Sequence, residues 1–167
     1  KKIKIGFFST NFRDHAVMKF FMPTIKFLNK NFETFAFNFT NPRFQDDVTK
    51  ELKQNFSSWN DIHDLDDIAA VNLIRKNKIN ILFDLVGYSG GGRLELFKYR
   101  SAPIQISWIG YTNSTGITEM DYIIADPNVL NSDEHYTEKI LRLPNIWSCH
   151  SPLKEQIKVN ELPFKKN

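Results

Sequence analysis

The feature that most constrains this chain is the regular return of apolar segments of strand length, separated in its first half by segments of helical period. Apolar runs fall at residues 3–8, 35–39, 79–86, 104–109, 121–125 and 139–143. Between the early ones, residues 15–29 place Val17, Phe20, Phe21, Thr24, Phe27 and Leu28 on one helical stripe, which Pro23 is expected to bend. Residues 46–56 form a shorter, more polar candidate helix. Residues 65–76 repeat Leu65, Ile68, Ala69 and Leu73 at helical spacing, with Asp64 the expected N-cap. Strand–helix–strand alternation of this kind predicts βαβ units: an α/β fold with a parallel sheet and helices on both faces. After Val86 the helices shorten and turn residues crowd in, at Gly87, Gly90–Gly92 and Asn113–Gly116.

Composition closes off several alternatives. With 167 residues, 41% of them apolar and 15 of them Phe, the chain has enough material for one real core and too much for disorder. The net charge of +3 comes from scattered lysines without a dense basic run, so nucleic acid is not an expected partner. No stretch approaches the roughly 18 apolar residues of a membrane span, and no signal-peptide pattern opens the chain. The lone Cys149 fits a reducing, cytoplasmic setting. The Lys-rich stretch 151–167, with two prolines, is expected to be a linker following a domain that spans 1–150.

Two loops carry the signals for a site. Gly87-Tyr88-Ser89-Gly90-Gly91-Gly92-Arg93 follows an apolar strand and precedes a short helical segment at 94–100. Ligands of open parallel sheets bind beyond the carboxyl ends of the strands, and glycines let backbone approach them closely. The loop lacks the Gly-Lys-Ser/Thr of a Walker A motif and the spacing of the dinucleotide fingerprint, and a plain flexible turn is an equal alternative. Gly110-Tyr111-Thr112-Asn113-Ser114-Thr115-Gly116 follows the next strand and is expected at the same edge, making a cleft of the two. His15, expected to open a helix capped by Asp14, would be kept neutral by the helix dipole, as a general base must be, although most histidines so placed are merely solvated. Asp64-Leu65-Asp66 matches the Asp-x-Asp pattern of metal-dependent sugar transferases, but acidic residues at a helix start are explained by capping. Cys149-His150 is too small a group for a metal.

The block Ser101-Ala102-Pro103-Ile104-Gln105-Ile106-Ser107-Trp108-Ile109-Gly110-Tyr111, continuing to Met120-Asp121-Tyr122 and Asp126, resembles a long signature of the O-linked N-acetylglucosamine transferase and SPINDLY glycosyltransferases, family 41. In the same order, Ile5-Gly6-Phe7-Phe8-Ser9-Thr10-Asn11-Phe12-Arg13-Asp14-His15 is similar to that family's first strand and histidine motif. Asp84–Ser89 with Arg93, Glu95, Leu96 and Phe97 is similar to its glycine loop, and Glu138–Pro144 to the strand that closes this half. The likeness runs from Lys2 to about Pro144. Departures are Thr112-Asn113 where the family has Pro-Gly, Asn11 where it has Asp, and Ser101 within Arg100–Pro103.

The resemblance implies one Rossmann-like half of a GT-B glycosyltransferase, inverting and metal-independent, moving a sugar from a UDP donor to Ser or Thr of an acceptor protein. It puts His15 at the catalytic position and Asn11, Tyr88, Gly90, Gly91, Arg93, Tyr111 and Thr112 in the substrate-binding loops. It implies no cofactor and no metal, the UDP-sugar being substrate. The C-terminal nucleotide-sugar-binding half is missing from these residues, so little activity is expected of them alone. The rival expectation is a non-catalytic interaction module that keeps the fold and has lost the chemistry.

Overall fold

The computed structural model describes residues 2–130 and 132–150, so the expected linker at 151–167 lies outside the described residues. Seven strands form one all-parallel sheet: β1 (Lys4–Ser9), β2 (Glu33–Asn38), β3 (Ser58–Asp61), β4 (Ile81–Asp84), β5 (Ile104–Ser107), β6 (Tyr122–Ala125) and β7 (Lys139–Arg142). Their spatial order is β3-β2-β1-β4-β5-β6-β7. The helices are α1 (Ala16–Leu28), α2 (Asp47–Asn55), α3 (Asp67–Lys76) and the single turn α4 (Glu95–Lys98). The chain therefore winds outward from β1 through β2 to β3, then returns to lay β4 on the other side of β1. Right-handed crossovers make that reversal carry the later helices to the opposite face.

Side-chain alternation confirms two faces. Along β1, Ile5 and Phe7 join Met18, Phe21 and Ile25 of α1 and Leu52 of α2 in one buried cluster. Phe8 joins Phe35 and Phe37 of β2, Ala70, Val71 and Ile74 of α3, and Leu96 and Phe97 of α4 in the other. Phe7 packs edge-on to Phe21 at 5.0 Å and stacks on Phe83 at 5.1 Å, so the phenylalanines serve as the filling of the first face.

Three local expectations need correction. Asp14 does not cap α1: its own N–H donates to Asp46 at 2.7 Å, and the N-cap is His15, extended at φ −149°. Asp64 does not cap α3: Asp66 does, accepting from the N–H of Ala69 at 2.7 Å, because Leu65 still belongs to a turn closed on the Ile62 carbonyl. An additional strand, β3, has the sequence Ser-Trp-Asn-Asp; it pairs only with β2 at the sheet margin, where no apolar alternation is demanded. Pro23 is accommodated inside α1 at the cost of the N–H that the Lys19 carbonyl would have used.

Candidate active site

The ends of β1, β4 and β5 are level, with Phe8 opposite Asp84 and Asp84 opposite Ser107, so the loops that follow them emerge at one edge. β1 and β4 are also where the winding reverses, and the diverging connections leave a crevice there. Thr10, just past β1, lies where a Cβ on Gly91 of the glycine loop would come into van der Waals contact with it, at 3.7 Å. The loop after β4 meets the loop after β5 still more closely. Gly87, at φ +61°, has Tyr111 so near that a Cβ would fall 2.3 Å from it, and Gly110 lies against the Leu85 carbonyl with 2.0 Å for the same atom. Only glycine fits at these two positions. Together the two loops pack into one continuous wall at this edge of the sheet.

The wall is braced from below and above. Asp84, fully buried at the end of β4, accepts from the N–H groups of Val86 at 3.0 Å and Gly87 at 2.8 Å, shaping the loop's first turn. Burial pushes its carboxyl up to about 6 against the pull of those two bonds. Tyr88 donates its hydroxyl to the Thr115 carbonyl at 2.7 Å, and its ring meets Tyr111 edge-on at 5.6 Å while remaining 61% exposed. Tyr136 donates to the Thr112 carbonyl at 3.0 Å, anchoring that loop to the segment before β7. Ile109 stands at φ +71°, with Gly110 N–H closed onto the Trp108 carbonyl at 3.0 Å: a strained three-residue turn in which a β-branched residue is unusual.

The expected site residues divide into two groups. His15, Tyr88, Gly90, Tyr111 and Thr112 stand at the open edge, and Gly91 faces Thr10. Asn11 is buried, its N–H taken by Ser9 Oγ at 3.0 Å, and it supports the β1 loop from inside. Arg93 borders the cavity along the glycine loop, and its guanidinium lies over the Phe39 ring at 4.4 Å and binds Asp67 and the Leu65 carbonyl, tying the loop to the start of α3. Its Nη1 and Thr10 Oγ1 are buried without a hydrogen-bond partner among the described residues. Thr10 and Asp84 are site elements that sequence reasoning passed over; the signal for Asp84 was a carboxylate inside an otherwise apolar run. A cavity of about 390 Å³ runs along the glycine loop, bordered by Asp67 and Glu95. Larger hollows, of about 430 and 570 Å³ around Lys78 and Asn80, lie at the amino edge of the sheet, which is not where ligands of such sheets bind.

His15 has a defined tautomer. Its Nδ1 accepts from the Val17 N–H at 3.3 Å, which leaves the proton of the neutral ring on Nε2. Burial first, and the neighbouring Arg13 second, lower its pKa against the opposing pull of Asp14, so the neutral ring dominates near pH 7. The imidazole at the crevice is therefore a hydrogen-bond donor through Nε2. Among the described residues no three His, Cys, Asp or Glu side chains are grouped to hold a metal ion, and no helix is long and apolar enough to cross a membrane.

Comparison with known proteins agrees with this geometry. The chain is 36% identical over 115 residues to the probable UDP-N-acetylglucosamine–peptide N-acetylglucosaminyltransferase SPINDLY of Hordeum vulgare, covering 68% of this chain and 12% of that protein. It is 28% identical over 173 residues to the SPINDLY protein of Petunia hybrida, covering 98% of this chain and 18% of that one. Its extent is thus less than a fifth of these relatives' length. A solved structure of a mutant O-GlcNAc transferase from Thermobaculum terrenum superposes with a TM-score of 0.85 at 32% identity, over 92% of this chain and 30% of that one. The seven-stranded sheet with its flanking helices is the fold of one half of a GT-B catalytic domain. The sequence model of glycosyl transferase family 41 matches residues 1–152, and the chain belongs to that family.

Proposed function

We propose that this chain is the acceptor-side half of a protein glycosyltransferase that moves N-acetylglucosamine or a related sugar from a UDP donor to a Ser or Thr hydroxyl. The observation that supports the reading is the convergence of the β1, β4 and β5 loops at one edge of the sheet, with His15 opening the helix that follows the β1 loop. In this reading the hydroxyl oxygen attacks the anomeric carbon on the face opposite the leaving group. The bond to the diphosphate breaks, UDP departs with the electron pair, the hydroxyl proton passes to a base, and the configuration inverts. His15 in its resting tautomer orients an oxygen of the acceptor or donor through Nε2–H. Service as the base would require the Nδ1–H tautomer and so the loss of its cap on α1, worth about 1 kcal/mol. Asn11, Tyr88, Gly90, Gly91, Tyr111 and Thr112 line or shape the substrate cleft, and Arg93 holds the glycine loop in place for it.

The transfer is metal-independent in this proposal: Asp66, one of the two carboxylates that suggested a metal, is spent on the α3 cap. The uridine and diphosphate are held mainly by a second Rossmann-like half outside this chain, and the setting is cytoplasmic, with no role for nucleic acid. The test is peptide glycosylation with UDP-N-acetylglucosamine by this chain joined to its natural downstream sequence, with and without chelator, wild type against His15→Ala. Transfer that survives chelation and falls at least tenfold in the variant supports the reading. An undiminished variant removes His15 from the chemistry, and no transfer with any UDP-sugar turns the assignment towards a non-catalytic module.

A further inference from the structure

The six arginines of the chain are used in two different ways. Four are spent internally. Arg75 binds the carbonyls of Tyr99 and Arg100, and Arg93 binds Asp67. Arg100 takes both oxygens of Asp121 at 2.7 Å, and Arg142 takes the Leu130 carbonyl at 2.7 Å with Asp133 beyond it. Arg13 and Arg43 differ. Their guanidinium groups lie over one shared ring, that of Phe44, at 5.8 and 4.5 Å. Arg13 makes one marginal contact with the Asp14 carbonyl at 3.5 Å, and Arg43 makes no side-chain hydrogen bond or ion pair among the described residues.

This is not for want of carboxylates nearby. Asp46 accepts from the N–H groups of Asp14 and Thr49 and from the Thr49 hydroxyl, and Asp47 pairs with Lys50 at 2.7 Å. Asp14 is exposed and makes no ion pair with either arginine. A cation–π contact uses no N–H donor of the guanidinium, so the fork that matches a carboxylate bidentately is left available. Phe44 is 50% exposed, Arg43 is exposed and Arg13 is half-buried, so the group stands at the surface.

The placement bears on the site. Arg13 is two residues before His15 and close enough to lower its pKa. Arg43 sits in the turn Pro42–Phe44 that follows β2, the strand beside β1 on the side away from β4. The pair thus flanks the β1–β4 crevice by about one strand spacing, roughly 4.8 Å. A diphosphate reacting in the crevice has no need of that flank. A polypeptide laid across the edge with its hydroxyl at His15 reaches it within about two or three residues, at roughly 3.3 Å per residue.

We propose that Arg13 and Arg43, stacked on Phe44, form a clamp for an acidic side chain of the acceptor polypeptide, two or three residues from the modified hydroxyl. The inference rests on the transferase reading above and specifies the acceptor that site prefers.

The experiment measures binding without sugar transfer, so that it fails separately from the catalytic assignment. A labelled Ser-containing peptide with Glu at the flanking positions is titrated onto the chain joined to its downstream sequence, beside the same peptide with Gln. The expected result is about tenfold tighter binding of the Glu peptide at low salt, shrinking as salt rises. Arg13→Gln/Arg43→Gln is expected to abolish the difference, and Phe44→Leu to reduce it with the charges kept. Equal binding of the two peptides overturns the clamp even if glycosylation proceeds, as does a preference that survives the double substitution. A double variant that loses affinity for UDP instead of for the Glu peptide assigns the arginines to the donor, and the proposal falls.

Discussion

The two sides of the sheet are held together by different physics. From β1 to β4 the chain is a phenylalanine-filled sandwich: Phe7, Phe8, Phe12, Phe21 and Phe37 are completely buried, and rings meet rings across β1, β4 and α1. From β5 to β7 the helices give way to loops, and buried polar side chains take over by hydrogen-bonding backbone. Gln105 accepts from Ser101 N–H at 2.9 Å and donates to the Phe97 and Glu119 carbonyls at 2.9 and 2.8 Å. Asp126 accepts from Asn128, Val129 and Trp147 N–H groups, and Glu138 from Thr115 N–H and the hydroxyls of Ser114, Thr115 and Thr137. One side gains stability from area removed from water; the other avoids the penalty of burying loop backbone unpaired. The candidate active site lies on the seam, with His15 contributed by the first side and Tyr111 by the second.

Paired truncations break this contrast most directly. Phe7→Ala removes a ring in contact with Phe21, Phe56 and Phe83 and is expected to cost about 4 kcal/mol, read by denaturant unfolding. Gln105→Met keeps the volume but strands two backbone groups, the Ser101 N–H and the Glu119 carbonyl, while the Phe97 carbonyl keeps the Arg100 N–H; the expected cost is about 3 kcal/mol. A near-neutral Gln105→Met would show that the second side, too, is held by packing.

The same contrast explains what could be read in advance. Apolar periodicity exposes an element whose partners are interchangeable hydrophobes, so β1, β2 and β4 are legible from their own residues. The stripe expected on α1 is displaced: Met18, Phe21 and Ile25 are the buried positions, and Phe27 is 64% exposed, because a helix this apolar offers more than one face to the sheet. The edge strand β3 escapes because Ser58–Asp61 buries no full face. Turn residues marked both site loops. The bonds that fix those loops were not legible, since Glu138 meets Thr115 from 23 positions away and nothing in either local sequence names the other. The shift of both caps, from Asp14 to His15 and from Asp64 to Asp66, has the same origin: several side chains near each helix start can cap, and tertiary contacts such as Asp46 on Asp14 N–H choose among them.

Two carboxylates sharpen the comparison through pH. Glu138 is lowered: burial alone would raise it, and the Thr115 and Ser114 bonds outweigh that, so its contribution is present above the ordinary carboxylate pKa and is lost as pH falls through the folded value. Asp84 runs the other way. Its folded value of about 6 lies above the ordinary carboxylate value of 3.8, so the favourable contribution of the protonated form is lost as pH rises from about 4 through 6. At 1.36 kcal/mol per unit the change is about 3 kcal/mol, at most, in favour of acid. Asp84→Asn has no such titration, so stability of the wild type relative to the variant is expected to fall by about 2–3 kcal/mol between pH 4 and pH 7 and then level off. A difference that is flat across that window would mean that the two loop amides fully compensate the buried charge.

The smallest expected effect is at the seam. His15 supplies the side-chain cap that α1 has in place of Asp14, so His15→Ala is expected to cost about 1 kcal/mol at pH 8, where Nδ1 is free to accept from Val17. The histidine's pKa is lowered in the fold, so this contribution is present above the ordinary value of 6.5 and is lost as pH falls through the folded value. Once doubly protonated, the ring has no lone pair for the Val17 N–H and places a positive charge at the positive end of the helix. The stability difference between wild type and variant should therefore shrink as pH falls below 6.5, the opposite slope to a histidine held by a carboxylate. Imidazole nitrogen shifts of the wild type give the same answer without a mutation: a proton on Nε2 with Nδ1 bare at pH 8 confirms the cap, whereas a proton on Nδ1 would free Nε2 to act as a base and separate His15's chemical role from its structural one.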